Sequence, residues 1–580
     1  MPIKKSLFVI NLIFWSLQYT TAQVPDAVIN LGILDYNSSC YSYPDSDGNI
    51  YLVGRSYYPL DFDPGPGVVE AGPPDNQVFI VKYNSSFEIE WLAHIEHATA
   101  IEPDASFVNT DGGITISGFA TGDPVIYATD ITDTLVTQNG TPAYYISFNA
   151  DGELEFARSI GGPNGSSAVY IRGIYQDGSG NITIGGYYIG NCDFDPTPST
   201  FILSGSVTDP YGFIAKYNNA GNLIWAKKIG SGTGSVAVQD MAIDHTGNIV
   251  IGGYFAFTVD FNPDPLVSNN VTALDVLDGY LAKYDADGNY LWAGALAENE
   301  SFGGVKHIII DQANNIIIDG SFNKKCDFDL FAGVKNRKPS GSQSYIAKYD
   351  ADGNYKWVKN ASGTGDCNIW QINVDAAGNI YSTGLFKGTF DFDFGAGVFN
   401  MTGPDPDALH TDIFVHKMDK KGNFKYAFQL SPEFVDYSGQ AIGMQLSITP
   451  DDQLILTAKY DGTLDVDPTA GENIIVEAGY GNSGFVARYS QPVLKYADEN
   501  SNPVLQIFPS PATDHFTIVR EEGELSGVYI ADMQGRMVRS WQINDSSGQT
   551  FDISALPSGT YSVIAIIDGI AVSKSIQVIH

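Results

Sequence analysis

Short runs of β-branched and aromatic residues, bounded by Gly, Asn and Asp, recur along most of this chain. Residues 244–293 are representative, with the apolar runs NIVIGGYF and YLAKY, the turn DADGN, and then LWA. Side chains alternate between the two faces of a strand. In YLAKY, Leu281 and Lys283 therefore share one face and Tyr280 lies on the other. The Asn and Gly of DADGN accept the positive φ that a hairpin turn requires. Each copy of the passage therefore predicts about four short antiparallel strands.

Seven copies align on the turn that precedes a strand, at intervals of 64 to 74 residues. The aligned turn positions are Asn49, Gly113, Asn181, Asn248, Asn315, Asn379 and Gln453. A second column, in the later hairpin, contains Lys82, Ser147, Lys216, Lys283, Lys348, Lys417 and Arg488. An aromatic residue follows nine positions after each of the first six of these, namely Trp91, Phe156, Trp225, Trp292, Trp357 and Tyr426. The period of the repeat is thus about 65 residues.

A four-stranded unit that repeats seven times predicts a β-propeller, because one twisted sheet buries both of its faces only between two neighbours around an axis. We predict an all-β chain in which residues 23–490 form a seven-bladed β-propeller. The aromatic column then packs between blades, and a carbohydrate-stacking surface is the alternative.

The seventh copy lacks its last strand. Ala497, nine residues beyond Arg488, has no aromatic strand around it. The segment AVINLG at residues 27–32 precedes Asp47 much as WAKKIG precedes Asp244. We therefore expect the N-terminal strand to complete the last blade, which removes the open sheet edges of a linear array.

The units resemble the β-propeller repeats called SBBP repeats. The resemblance lies in KYDADGNYLW and DHTGNIVIGG and covers roughly residues 24–490. The second unit departs most, with Ser147 in the Lys column, Phe156 in place of Trp, and no Asp-Phe-Asp. The resemblance implies a propeller and assigns no enzymatic activity.

The composition changes after residue 504. Residues 491–504 are polar and contain two prolines, which predicts a linker, and residues 505–580 contain alternating strands that predict a small β-sandwich. This segment closely resembles the type A C-terminal sorting domain of the type IX secretion system. The matching positions are Phe508, Pro509, Pro511, Ala512, the turn 532–536 with Gly535, Leu556, Pro557, Ser558, Gly559, Tyr561 and the strand after Lys574. Ser510 stands where the family usually has Asn. The resemblance implies that the export machinery is a partner and that the segment is commonly removed.

Residues 1–22 have the pattern of a signal peptide, with two lysines, an apolar run from Leu7 to Leu17, and small residues before Gln23. No later segment has eighteen consecutive apolar residues, so we expect no transmembrane segment in the mature chain. The four cysteines are few for an exported chain, and we expect no disulfide framework. Together with the C-terminal segment, these features predict a secreted or surface location.

The chain has 31 basic and 67 acidic side chains and a formal net charge of −36. This charge repels nucleic-acid phosphates, so we expect no nucleic-acid partner. The low charged fraction and the abundance of Gly, Tyr and Phe favour strands and turns over helices.

Motifs for catalysis are absent from the sequence, which contains no GxSxG, HExxH or paired CxxC. GSGTGS at residues 230–235 joins two predicted strands without a helix behind it, so we interpret it as a loop. His94 and His97 are three apart on a predicted strand and point to opposite faces, which disfavours a zinc site. We therefore assign no catalytic, cofactor-binding or metal-binding residue.

The periodic polar feature is an Asp-x-Asp column, twelve residues after each aligned turn. It contains Asp61 and Asp63, Asp193 and Asp195, Asp260 and Asn262, Asp327 and Asp329, Asp391 and Asp393, and Asp465 and Asp467. The residue between each pair is Phe62, Phe194, Phe261, Phe328, Phe392 or Val466. One interpretation is a turn in which the apolar residue anchors a loop and the carboxylates accept backbone N–H bonds. The other is calcium, which prefers six to eight oxygen ligands.

The function predicted from these patterns is that of an exported, non-catalytic propeller that binds a glycan or another protein through loops at one end of its ring. The alternative is a secreted polysaccharide-active enzyme, either a hydrolase or a lyase. In a seven-fold array many Asp pairs would meet the spacing of roughly 5 to 10 Å that glycoside cleavage needs by repetition alone, so this spacing singles out no catalytic pair.

Overall fold

A computed structural model describes residues 25–33, 40–489 and 506–579, apart from short internal segments. The omitted segments are residues 59, 66, 72–75, 97–98, 163–164, 231–233, 275, 299–303, 340–342, 396, 405–409, 434–440, 469–472, 477–482, 510–511, 520–524, 532–536, 543–549 and 568–569. The predicted signal peptide and linker lie outside the described residues. Residues 22–490 form one compact unit, and the C-terminal segment belongs to a second.

The described part of the chain contains strands and no helix, which confirms the all-β prediction. The first strands are β1 (Pro25–Ile33), β2 (Cys40–Pro44), β3 (Ile50–Ser56), β4 (Gln77–Tyr83), β5 (Ile89–Glu96), β6 (Ala100–Val108), β7 (Ile114–Thr121), β8 (Val125–Tyr127), β9 (Thr132–Thr134), β10 (Asn139–Phe148) and β11 (Leu154–Gly162). Next come β12 (Ala168–Gln176), β13 (Ile182–Ile189), β14 (Cys192–Asp193), β15 (Ile202–Leu203), β16 (Tyr211–Tyr217), β17 (Leu223–Ile229), β18 (Ser235–Ile243), β19 (Ile249–Ala256), β20 (Thr258–Asp260), β21 (Asn270–Thr272), β22 (Asp278–Tyr284) and β23 (Tyr290–Glu298).

The unit continues with β24 (Val305–Ile310), β25 (Ile316–Phe322), β26 (Cys326–Asp327), β27 (Asn336–Arg337), β28 (Gln343–Tyr349), β29 (Tyr355–Asn360), β30 (Ser362–Val374), β31 (Ile380–Asp391), β32 (Asn400–Thr402), β33 (Asp412–Met418) and β34 (Phe424–Leu430). Its last strands are β35 (Ile442–Ile448), β36 (Leu454–Tyr460), β37 (Thr463–Asp465), β38 (Ile474–Val476) and β39 (Ser483–Tyr489).

The long strands pair antiparallel in consecutive groups of four. Group 1 is β2, β3, β4 and β5; group 2 is β6, β7, β10 and β11; group 3 is β12, β13, β16 and β17; and group 4 is β18, β19, β22 and β23. Group 5 is β24, β25, β28 and β29; group 6 is β30, β31, β33 and β34; and group 7 is β35, β36, β39 and β1. The predicted pairing of the N-terminal strand with the last repeat is therefore confirmed.

The groups follow one another around a common axis. The first strand of each group adjoins the first strand of the next, and β35 of group 7 adjoins β2 of group 1. A buried apolar cluster lies between each pair of neighbouring groups. In the cluster that joins groups 7 and 1, Ile29 and Leu31 of β1 pack with Leu52 and Phe79. This closed arrangement of antiparallel sheets fits a β-propeller.

The two ends of the ring carry different connections. Tight turns join the first strand to the second and the third strand to the fourth at one end, as at Asp244 and Asp285. At the other end, which we call the excursion end, longer segments join the second strand to the third. These segments contain the Asp-x-Asp pairs and short hairpins such as β20 with β21.

The C-terminal unit consists of two antiparallel sheets. Its strands are β40 (Gln506–Phe508), β41 (His515–Val519), β42 (Leu525–Ala531), β43 (Met537–Gln542), β44 (Thr550–Asp552), β45 (Gly559–Ile567) and β46 (Ile570–Val578). One sheet has the order β40-β41-β44 and the other has the order β43-β42-β45-β46. Phe516 and Phe551 of the first sheet and Val528 and Val563 of the second belong to one buried cluster, as in a β-sandwich.

Candidate functional site

The Asp-x-Asp pairs form turns in which the first carboxylate accepts backbone N–H bonds. Oδ1 of Asp193 accepts from the amide of Asp195 at 3.0 Å and from that of Phe201 at 2.7 Å. The equivalent oxygens of the other five groups accept in the same way from the residue two positions on and from one eight or nine positions on. These bonds close each excursion and agree with the turn interpretation.

The apolar residue between each pair of carboxylates is buried and anchored. Phe194 is fully buried, and each of its counterparts is at most about 1% exposed. The hydroxyl of Tyr217 donates to the carbonyl oxygen of Phe194 at 3.0 Å. The same contact joins Tyr83 to Phe62, Tyr284 to Phe261, Tyr349 to Phe328, and Tyr489 to Val466. Within the described residues, no group of three or more His, Cys, Asp or Glu side chains has a metal-binding arrangement.

The Lys and aromatic columns join neighbouring groups. Nζ of Lys283 contacts Asp244 at 2.8 Å within group 4 and donates to the carbonyl of Ala351 in group 5 at 2.9 Å. Trp225 packs on Gly288 of the next group, where a Cβ would lie 2.9 Å from the indole. The aromatic column therefore packs between groups, as the sequence predicted, and both columns stabilise the ring.

Other residues singled out in the sequence have structural surroundings. The ring of His94 stacks on Tyr127 with centroids 4.6 Å apart, and His97 lies outside the described residues. Gly230 has a φ of +96° at the end of β17, and the middle of GSGTGS also lies outside them. All four cysteines are buried, and none forms a disulfide.

Two columns near the axis differ from group to group, unlike the repeated turns. The first column is the residue that directly follows a glycine in the second strand of each group, or an alanine in group 7. It contains Arg55, Phe119, Tyr187, Tyr254, Ser321, Leu385 and Lys459. The other is the extra residue of a β-bulge in the first strands of groups 2 to 7, and contains Asp104, Arg172, Gln239, Lys306, Trp370 and Met444. The bulge brings the first strand close to the second, so a Cβ on Gly186 would lie 1.9 Å from the carbonyl oxygen of Tyr170.

Members of these columns and their neighbours in groups 1 to 4 form a connected set that we call the axial cluster. It consists of Arg55, Glu102, Asp104, Phe119, Tyr170, Arg172, Tyr187 and Tyr254. Arg55 pairs with Glu102, and Nη1 of Arg172 donates to Oδ1 of Asp104 at 2.9 Å. The guanidinium of Arg172 lies 5.8 and 5.6 Å from the ring centroids of Tyr170 and Tyr187.

The Asp104–Arg172 pair is incompletely satisfied. The side chain of Asp104 is 9% exposed and that of Arg172 is 30% exposed. Among the described residues, neither Oδ2 of Asp104 nor Nε of Arg172 has a hydrogen-bond partner. Burial raises the pKa of Asp104 to about 6, against the opposing effect of Arg172. Such a pair costs free energy of folding relative to an apolar pair, which argues for a role other than stability.

A second polar contact near the axis joins groups 4 and 5. The carboxylate of Asp240 accepts from the amides of Met241 at 2.7 Å and Ile308 at 2.6 Å. Nδ1 of His307 lies 2.8 Å from Oδ1 of Asp319, which is fully buried. Asp240 keeps part of its surface accessible, yet enough protein surrounds it that burial raises its pKa to about 7. The sequence patterns identified neither this contact nor the axial cluster, because both consist of departures from the repeat.

Comparisons with known proteins give one match that identifies part of the chain. Residues 506–579 match the family described as the secretion system C-terminal sorting domain. An uncharacterized WD repeat-containing protein of Acanthamoeba polyphaga mimivirus is 26% identical over 271 residues, which cover 41% of this chain and 19% of that relative. The chain thus spans about a fifth of that relative's length.

Among solved structures, an ulvan lyase of a polysaccharide lyase family superposes with a TM-score of 0.34 and 10% identity. The superposition covers 80% of this chain and 96% of the lyase.

Among the described residues, no helix has the length and apolar character needed to cross a bilayer. The family match confirms the predicted sorting domain, and this chain is exported through type IX secretion to the cell surface or the medium.

Proposed function

We propose that this chain is an exported, non-catalytic binding protein, built as a seven-bladed β-propeller of SBBP-type repeats, whose ligand binds at the axial cluster. In this proposal residues 1–22 are a signal peptide, residues 23–490 form the propeller, and residues 491–504 link it to the sorting domain at 505–580. The seven strand groups, their closed order and the pairing of β1 with β39 support the propeller assignment.

One observation supports placing the binding site at the axial cluster. Residues that build each group, such as Tyr217 and its counterparts, repeat because every copy folds in the same way. Residues of the axial columns instead change from copy to copy and include charged side chains. A position that is free to vary while the fold is kept can serve a ligand, because function depends on a particular site and not on the fold that carries it.

The chemistry of the cluster supports binding. Four half-buried aromatic rings lie beside two ion pairs, which gives both apolar surface and hydrogen-bonding groups in one place. The side chain of Arg172 is 30% exposed and paired with the buried Asp104, so it presents guanidinium N–H donors at the edge of the cluster.

A second candidate function is that of a polysaccharide-active hydrolase or lyase. Asp104 and Asp240 favour it, because burial raises their pKa values to about 6 and about 7. A carboxyl group that is protonated near neutral pH is suited to general acid catalysis.

Binding and activity assays on the exported full chain test both functions. The chain is incubated with a panel of polysaccharides and surface proteins, and retention is measured beside the release of reducing ends and of unsaturated products. We expect retention without cleavage, and we expect Arg172→Gln to lose it while Leu385→Ala, at the Tyr187 register position of group 6, keeps it. Retention that survives Arg172→Gln would place the site elsewhere, and cleavage that depends on Asp104 would establish the enzyme.

A further inference from the structure

We propose that the ligand of the axial cluster is a neutral saccharide, which stacks on the row of aromatic rings and is oriented by the Asp104–Arg172 pair. This inference rests on the proposed binding function and adds the chemical class of the ligand.

The aromatic row spans groups 2 to 4. Phe119 meets Tyr170 edge to face at a centroid distance of 6.1 Å, and Tyr170 stacks on Tyr187 at 4.9 Å with an angle of 29° between the rings. Tyr254 holds the same column position in group 4, where burial and the nearby Tyr187 raise its pKa and Arg172 lowers it. All four residues are half-buried, so each keeps part of its surface accessible. Rings of this kind pack against the C–H faces of a sugar, and the tyrosine hydroxyls remain available to its polar edge.

The polar partners of the row suit hydroxyl groups. Nη2 of Arg172 lies 3.4 Å from the hydroxyl of Tyr187, and 30% of the Arg172 side chain is exposed. The guanidinium, held by Asp104, offers N–H donors in one plane, while the tyrosine hydroxyls beside it both donate and accept. A sugar hydroxyl both donates and accepts, so donor and acceptor groups held side by side match a saccharide edge.

The charge balance favours a neutral ligand over an acidic one. Arg55 is paired with Glu102 and Arg172 is paired with Asp104, so each cation of the cluster is already matched by a carboxylate. The chain as a whole has a formal net charge of −36 and repels polyanions. A carboxylated or sulfated glycan would have to compete with Glu102 and Asp104 for the two guanidinium groups.

Titration calorimetry on the exported full chain tests this inference. The probes are neutral gluco-, galacto-, manno- and xylo-oligosaccharides, with uronate and sulfated oligosaccharides as the acidic arm and an unrelated peptide as the negative arm. We expect a neutral oligosaccharide to bind with little dependence on salt, because no net ionic attraction is involved. Tyr187→Ala should weaken binding about tenfold, whereas Tyr187→Phe, which keeps the ring, should retain most of it.

Leu385→Ala is the matched control, and its affinity should equal that of the unmodified chain. Melting curves of every variant separate lost binding from lost folding. Salt-sensitive binding of acidic oligosaccharides alone, removed by Tyr187→Ala, would overturn the neutral-saccharide inference and leave the axial binding site in place. Binding of a saccharide that Tyr187→Ala and Arg172→Gln leave unchanged would overturn both proposals.

Discussion

The hydroxyl of Tyr217 donates a hydrogen bond to the carbonyl oxygen of Phe194 at 3.0 Å, and so fixes the third strand of group 3 to its Asp-x-Asp turn. Both residues are fully buried. Five of the seven groups contain this bond, whereas group 6 has Met418 at the tyrosine position.

Replacing Tyr217 by Phe should lower the free energy of unfolding by about 1 kcal/mol, because the ring stays packed while one buried hydrogen bond is lost. Denaturant or thermal melting of the full chain measures the change. Tyr211→Phe, on the same strand, is the control and should stay within about 0.5 kcal/mol. Equal effects of the two substitutions would mean that the bond contributes nothing.

The turn interpretation of the Asp-x-Asp column predicts different results for two changes of Asp193. Asp193→Ala removes an acceptor that holds two backbone amides and should cost about 1–2 kcal/mol of stability. Asp193→Asn keeps a side-chain oxygen at that position and should cost less than about 0.5 kcal/mol. Treatment with EDTA should leave the melting temperature unchanged. A rise in melting temperature with calcium that Asp193→Asn abolishes would instead support the calcium hypothesis.

Gly288→Ala should destabilise the ring more than Gly247→Ala. Both glycines have positive φ, +73° and +86°, so each substitution carries the strain of that conformation, about 1–2 kcal/mol. At Gly288 the new Cβ would also lie 2.9 Å from Trp225, whereas at Gly247 its nearest neighbour is 3.6 Å away. The two substitutions should differ by about 1–3 kcal/mol in the free energy of unfolding that they remove. This difference measures the packing of the aromatic column between groups. Equal shifts would contradict that role.

The contribution of Asp240 to stability should fall as pH rises from about 4 to about 7. Burial raises the pKa of Asp240 to about 7 in the folded chain, compared with about 3.9 when unfolded, so the folded state binds more protons across this range. The pKa of His307 acts in the same direction, since burial lowers it but Asp319 and Asp240 raise it above its ordinary value. The contribution of His307 to stability is present below about pH 6.5 and is lost as the pH rises through the pKa of this residue in the folded chain.

The substitution Asp240→Asn should flatten this pH profile by about 1–2 kcal/mol between pH 4 and pH 8. Melting temperature against pH measures the slope, and Asp366→Asn, at an exposed carboxylate, serves as the control. An unchanged slope in Asp240→Asn would show that this carboxyl does not titrate in the range.

Deletion of residues 505–580 should leave the chain in the periplasm, because the sorting domain addresses it to the export machinery. Cell fractionation and immunoblotting, with a periplasmic marker as the control, measure its location. Intact-mass analysis of the exported protein should also find residues 505–580 removed. Normal surface delivery of the deletion variant would contradict the role of the domain.

Sequence patterns predicted the parts of this molecule that repeat. Asp193 and Lys283 have counterparts in most groups because those groups share the same turn and the same junction, so the column itself indicates the role. Arg172 and Tyr187 gave no such signal, since a position that changes from copy to copy resembles an unimportant surface residue. Only the β-bulge and the order of the strands bring Arg172 beside Asp104, which lies 68 residues earlier in the chain.

The pairing of β1 with β39 has a consequence for the order of synthesis. Asp26 and Arg488 are 462 residues apart in sequence, yet they form an ion pair at 2.8 Å across these two strands. Strand β1 therefore lacks its partner strand until almost the whole unit has been made. The sorting domain at residues 506–579 follows the closing strand, so every chain that carries the export address has already synthesised the segment that seals the ring. Chain order thus acts as a completeness checkpoint, because a chain that terminates before β39 lacks both the closing strand and the export address.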